Sequence, residues 1–378
     1  MSTRSVTSTH AERVQVVGRL SILDRFLPVW IAAAMALGLL AGHLVLGLGP
    51  ALDAVAIDGV SLPIAVGLLV MMYPVLAKVR YDRLDTVTGD RRLLISSLVL
   101  NWIVGPALMF TLAWLLLPDL PEYRTGLIIV GLARCIAMVI IWNDLACGDR
   151  EAAAVLVALN SVFQVVAFAG LGWFYLVALP GWLGLSTAGL NVSAWAIARS
   201  VLIFLGIPLL AGYLTRRLGE RAKGREWYEG RLLPRLGPFA LYGLLFTIVI
   251  LFALQGQAIT SQPLGVVRIA LPLLGYFAIM WTGSYALGKA IGLNYERTTT
   301  LAFTAAGNNF ELAIAIAIAT FGVTSGQALA GVVGPLIEVP VLVALVYVSL
   351  ALRRRFTSTA AAHPALRGDS DDQALPAQ

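Results

Sequence analysis

Few residues in this chain could do chemistry, and most of them lie inside apolar stretches. Cys135 stands directly after Arg134, with Gly131 just upstream. A guanidinium beside a thiol favours the thiolate, the form that binds soft metals and metalloids. A buried thiol is also a small hydrophobe, and on these two residues alone both readings stay open. Farther on, Gly307-Asn308-Asn309-Phe310-Glu311 interrupts another apolar stretch. Glycine and asparagine are poor helix formers, and asparagine amides can bond freed backbone groups. A carboxylate at Glu311 is a candidate proton carrier. Desolvation there favours its neutral form and a nearby cation its charged form. The alternative is a structural ion pair with Arg134. Glu338, between Pro335 and Pro340, together with Asn160 and Gln164, is placed to line the same cavity. For Asn160 and Gln164, interhelical hydrogen bonds are an equal alternative.

Other chemistries lack their residues. Cys147 lies twelve residues after Cys135, about 18 Å along a helix, too far to share one ion or a disulfide. There is no Cys-x-x-Cys or Cys/His cluster, and His10, His43 and His363 all fall at or beyond the ends of apolar runs. A conventional zinc or copper site is therefore not expected, nor any cofactor. No nucleophile–base set points to an enzyme.

The elements that must position these residues follow from composition. Of 378 residues, 59% are hydrophobic and 13% charged, against roughly 45–50% and 25% in soluble domains. Mean hydropathy is +0.84. Such a chain cannot hide its apolar surface in a soluble core, which excludes a cytosolic enzyme, a nucleic-acid binder and a disordered chain. Its charges divide it into ten apolar runs, near 27–48, 60–79, 93–117, 125–145, 152–179, 194–214, 236–255, 267–291, 298–321 and 329–352. Most suit helices crossing about 30 Å of hydrocarbon, not tilted barrel strands. Twenty-three of the 27 basic residues fall on one side of the resulting topology; Arg124, Arg199 and Arg268 fall on the other, and Arg134 inside a span. The positive-inside rule then places both termini in the cytoplasm, with residues 1–26 a cytoplasmic segment and 353–378 a disordered cytoplasmic tail. The arginine-rich 6–7 loop reads as a topology signal or as a dock for anionic lipid.

Span 4 opens with Arg124-Thr125 and span 9 with Arg297-Thr298, an offset of 173. The offset sets Met138 opposite Glu311, with the two spans running in opposite directions. The expected fold is all-α and polytopic, with ten transmembrane helices as two inverted five-helix repeats, 27–179 and 194–352. In transporters of that kind discontinuous helices build a site near the midplane.

Three motifs in order resemble a known family: Gly131-Leu-Ala-Arg-Cys135, Asn308-Asn-Phe-Glu311 and Gly334-Pro-Leu-Ile-Glu-Val-Pro340. Together they resemble the arsenite efflux permeases, the yeast-type arsenical resistance proteins of the bile acid/arsenite/riboflavin transporter superfamily. The resemblance spans about residues 20–355. It implies a multi-pass transporter of the cell membrane that exports arsenite, sometimes antimonite, against proton entry. It also implies a panel domain and a core domain, with spans 4 and 9 broken and crossing in the core. The family's essential cysteine matches Cys135 and its span-9 glutamate Glu311. Arg134, Asn308 and Asn309 are then expected to bind substrate, Glu338 to share proton coupling, and Asn160, Gln164 and Gly307 to support the site. The rival on the same fold is a sodium-coupled organic-anion carrier, with Asn308, Asn309 and Glu311 holding sodium. Cys135 beside Arg134 argues against it.

Overall fold

The computed structural model describes residues 26–45, 47, 51, 54–57, 60–79, 90–136, 138–185, 193–261 and 263–361. The N-terminal segment expected to be cytoplasmic lies almost wholly outside these residues. So do most of the basic 2–3 loop and the tail beyond residue 361.

Among the described residues the regular structure is helical apart from a hairpin of two-residue strands, Ala56–Ile57 against Val60–Ser61. In order the helices are α1 (Leu27–Leu44), α2 (Leu62–Ala77), α3 (Arg91–Leu116), α4 (Pro121–Leu132), α5 (Met138–Leu145) and α6 (Arg150–Trp182). There follow α7 (Ala194–Lys223), α8 (Leu233–Ser261), α9 (Pro263–Ala290), α10 (Tyr295–Ala306), α11 (Phe310–Phe321) and α12 (Gly326–Ala361). Among the described residues six segments are long and apolar enough to cross a membrane, and α1, α2 and α11 are shorter apolar helices. This is a multi-pass membrane protein.

The helix starts follow from local chemistry. Asp90, Asp149, Asn294 and Asn309 each accept a hydrogen bond from the backbone N–H three residues on, capping α3, α6, α10 and α11. Such caps satisfy donors that the helix leaves unpaired. Four π-helical turns, Leu100–Val104, Phe174–Ala178, Leu202–Gly206 and Tyr228–Leu232, each end two residues before a proline. Proline offers no N–H to the carbonyl four residues back and crowds it. The ladder relaxes to five-residue spacing instead, as where the Gly105 N–H bonds the Leu100 carbonyl.

The helices pack in two groups. In one, α8 packs against α1 and α2, and α7 against α2. In the other, α3, α4, α6, α9, α10, α11 and α12 pack around each other. The first group is joined at glycines, which let helices approach where no hydrophobic drive separates helix from lipid. A Cβ on Gly38 would sit 2.6 Å from the Val249 carbonyl oxygen, and Gly42 lies closer still to that of Ala253. Gly42→Ala should therefore lower the melting temperature in detergent, since overpacking costs about 1–3 kcal/mol. Gly170→Ala, where a Cβ meets open space, should leave it unchanged or raised.

The basic 6–7 loop of the sequence reading is helical. α7 runs to Lys223, turns at Gly224 (φ 82°) and resumes at Arg225. The cause is Arg216, which is buried. It pairs with Glu220 and Glu229 at 3.0 and 2.8 Å and donates to the Lys78 and Val79 carbonyls that end α2. On the other side of the fold Asp119 pairs with Arg268. That guanidinium holds the Asp119 carboxyl down to about 2.

Candidate functional site

Two breaks meet at the centre of the second helix group. α4 ends at Leu132 and α5 begins at Met138; α10 ends at Ala306 and α11 begins at Phe310. The intervening segments cross as a short antiparallel bridge in which Arg134 pairs with Asn308. The Cys135 N–H donates to the Gly307 carbonyl at 3.3 Å, and the Asn309 N–H to that of Ala133 at 2.9 Å. Backbone groups freed by each break are thus satisfied by the other, as lipid requires of non-helical backbone.

Two flanking side chains complete the bridge. Gln164 Oε1 on α6 accepts from the Arg134 N–H at 2.8 Å, and Glu338 Oε1 on α12 accepts from the Asn308 N–H at 3.2 Å. The equivalences are Ala133 with Gly307, Arg134 with Asn308, Cys135 with Asn309 and Gln164 with Glu338. All share an offset of 174, so the crossing is one residue out of step with the 173 read from the helix starts. By that offset Cys135 corresponds to Asn309 rather than Asn308, while across the antiparallel bridge it faces Gly307.

Arg134 is fully buried. Its guanidinium donates to the Tyr276 hydroxyl at 2.7 Å, to the Ala305 carbonyl at 3.5 Å and to the Gly131 carbonyl. Those carbonyls end α10 and α4, the negative poles of both half-helices. Among the described residues it makes no ion pair, so the pairing with Glu311 is not formed. Gly105 leaves room for it: a Cβ there would lie 2.7 Å from Nη1.

Cys135 is 3% exposed. It packs on Gly307, where a Cβ would approach its own Cβ to 3.0 Å. Glu311 lies in the first turn of α11 and is only partly buried. Glu338 is buried, within electrostatic reach of Glu311. Asn308 Nδ2 donates to the Val130 carbonyl at 2.7 Å, and Asn309 Oδ1 caps α11. Asn308 Oδ1, Asn309 Nδ2 and Gln164 Nε2 have no protein partner. Buried polar groups are usually paired, and these three belong to residues of the crossing and its flank. Among the described residues Asn160 makes no bond to the crossing, although its Nδ2 is likewise unpartnered. Its Oδ1 accepts from Trp102 Nε1 at 3.2 Å, an interhelical bond to α3.

Residues 65–262 match the sodium bile acid symporter family. The chain is 62% identical to the arsenical-resistance protein Acr3 of Corynebacterium glutamicum, covering 88% of this chain and 90% of that protein. It is 33% identical to Acr3 of Alkaliphilus metalliredigens, covering 90% and 96%. The chain belongs to the arsenite efflux permease family. A similar transporter of Synechocystis is 35% identical over 90% of this chain. The motifs that carried the family resemblance form the crossing itself: Ala133-Arg-Cys135 is one segment and Gly307-Asn-Asn309 the other.

Tyr276 was not among the residues expected at the site of this permease. It lies in mid-span on α9, 174 residues after Trp102 of α3, whose indole bonds Asn160 of α6. A buried aromatic with a polar tip usually has a partner, and that was the available signal. Tyr276→Phe should cost about 1.5–3 kcal/mol, the range for a hydrogen bond to a charged group. Thermal unfolding of the purified protein checks it. No loss would mean that the carbonyls alone hold Arg134.

Proposed function

We propose that this permease exports arsenite, and antimonite where it is present, from the cytoplasm in exchange for protons by alternating access. The observation that carries the reading is the place of Cys135. It lies in non-helical backbone at the crossing, beside Arg134, with unpartnered polar atoms on the facing segment. At neutral pH arsenite is chiefly the uncharged trihydroxide, and arsenic(III) is thiophilic. One thiolate holds it and can release it, whereas three would trap it. Its hydroxyls match the unpartnered Asn308 Oδ1, Asn309 Nδ2 and Gln164 Nε2.

In this reading the chain spans the cell membrane ten times, as repeats 27–179 and 194–352, with both termini cytoplasmic. The exchange of hydrogen bonds at offset 174 supports the repeat. The group of α1, α2, α7 and α8 is the panel, and the other group is the core that slides against it. Substrate from the cytoplasm meets Cys135 while Glu311 is ionised. Proton entry from outside to Glu311, with Glu338 as its neighbour, favours release.

The sodium-coupled alternative keeps one supporting observation, because Asn308 Oδ1 and the two glutamates gather oxygen atoms at the crossing. Everted vesicles separate the readings. Arsenite accumulation driven by an imposed pH gradient and indifferent to sodium is expected. Accumulation that requires sodium and ignores the pH gradient would overturn the proposal.

A further inference from the structure

The two helix groups meet between α6 and α7 along a groove of about 570 Å³, lined by Val162, Leu202, Gly206, Ile207, Leu210 and Tyr213 among others. The lining is apolar except at Tyr213. Val162, Ile207 and Leu210 are 42%, 58% and 59% exposed, so the groove opens outward, towards lipid. From Leu202 to Tyr213 is eleven residues, about 16 Å of helix. That matches half of the roughly 30 Å hydrocarbon core, the depth of one leaflet.

The groove ends in charge. The Tyr213 hydroxyl accepts from Arg217 Nη1 at 2.7 Å. Arg217 and Arg221 follow at four-residue spacing on the same face of α7, and both are exposed. The bond to Tyr213 uses one of five guanidinium donors. Glu220 and Glu229 are engaged elsewhere, Glu220 with Arg216 and Glu229 with Arg216 and Arg225. An apolar slot one leaflet deep, capped by two arginines on the same helix face, has the chemistry of an anionic phospholipid.

We propose that one anionic phospholipid occupies this groove, with an acyl chain along Leu202–Tyr213 and its phosphate on Arg217 and Arg221. The slot has one wall in each helix group. On the alternating-access reading above, a lipid bound there makes transport depend on lipid composition. A charge cluster that served only topology would need no groove on the same face.

The test is native mass spectrometry of the full chain purified from membranes containing phosphatidylglycerol and phosphatidylcholine. One phosphatidylglycerol per chain should be retained in preference to phosphatidylcholine. Arg217→Ala with Arg221→Ala should reduce retention about tenfold. So should Gly206→Leu, which fills the slot where a Cβ has its nearest contact at 3.4 Å, with the Leu202 side chain. Arg231→Ala removes a charge elsewhere and should leave retention unchanged. Equal retention of both lipids, or retention unchanged in the groove variants, overturns the proposal. Cys135→Ser should keep the lipid whatever its transport, so this result is independent of the substrate.

Discussion

Cys135→Ser should reduce arsenite export to the background of empty vesicles while the protein accumulates and melts as the wild type does. Serine keeps the size of the side chain, so the contact with Gly307 and the bond from the residue-135 N–H to the Gly307 carbonyl should persist. What is lost is the soft sulfur and its accessible thiolate. A hydroxyl does not ionise at neutral pH and has little preference for arsenic over water. The expected loss is at least about a hundredfold, since tenfold corresponds to about 1.4 kcal/mol and a sulfur–arsenic bond exceeds several of these. Arsenite flux and a melting curve on the same preparation separate chemistry from folding. Export at the wild-type rate would reduce Cys135 to a space-filling residue of the crossing.

Glu311→Gln should remove the dependence of accumulation on a pH gradient. Glutamine matches glutamate in size and cannot cycle a proton. Among the described residues Arg134 makes no ion pair with Glu311; Tyr276 and two helix-ending carbonyls hold its guanidinium. The variant should fold and should carry arsenite down its own gradient, but an acid lumen in everted vesicles should no longer concentrate it. Vesicles that still accumulate arsenite only under a pH gradient would show that Glu311 is not the proton carrier. Glu338→Gln makes the informative comparison. The glutamine amide oxygen can still accept from the Asn308 N–H, as Glu338 Oε1 does at 3.2 Å. Its effect therefore reports on charge and not on the bridge.

Family membership sharpens the meaning of these variants without replacing their geometry. The thiol and the carboxylate lie on different segments that meet only because both helices are broken. The bridge between the two segments exists only in non-helical backbone, where Arg134 pairs with Asn308.

The sequence by itself determined the membrane character, the approximate limits of the apolar helices and the short set of intramembrane polar residues. These are local properties. The length of an apolar run decides whether it can cross hydrocarbon, and an Asn-Asn pair after glycine weakens a helix wherever it lies. Even Glu338, marked only by its two prolines, was legible as a charge that lipid would not tolerate.

Only the tertiary structure decided the partners. Arg134 reaches Tyr276, 142 residues away, and not Glu311. Gln164 bonds the crossing, whereas Asn160, one helical turn earlier, bonds Trp102 instead. The crossing pairs Arg134 with Asn308, an offset of 174, one more than that between the arginines opening the two helices. The reason is common to all three. A buried polar group must be satisfied, but many groups could satisfy it, and the choice falls to whichever the crossing angle and the glycine-lined contacts bring within 3 Å or so. That distance belongs to no single segment of the chain.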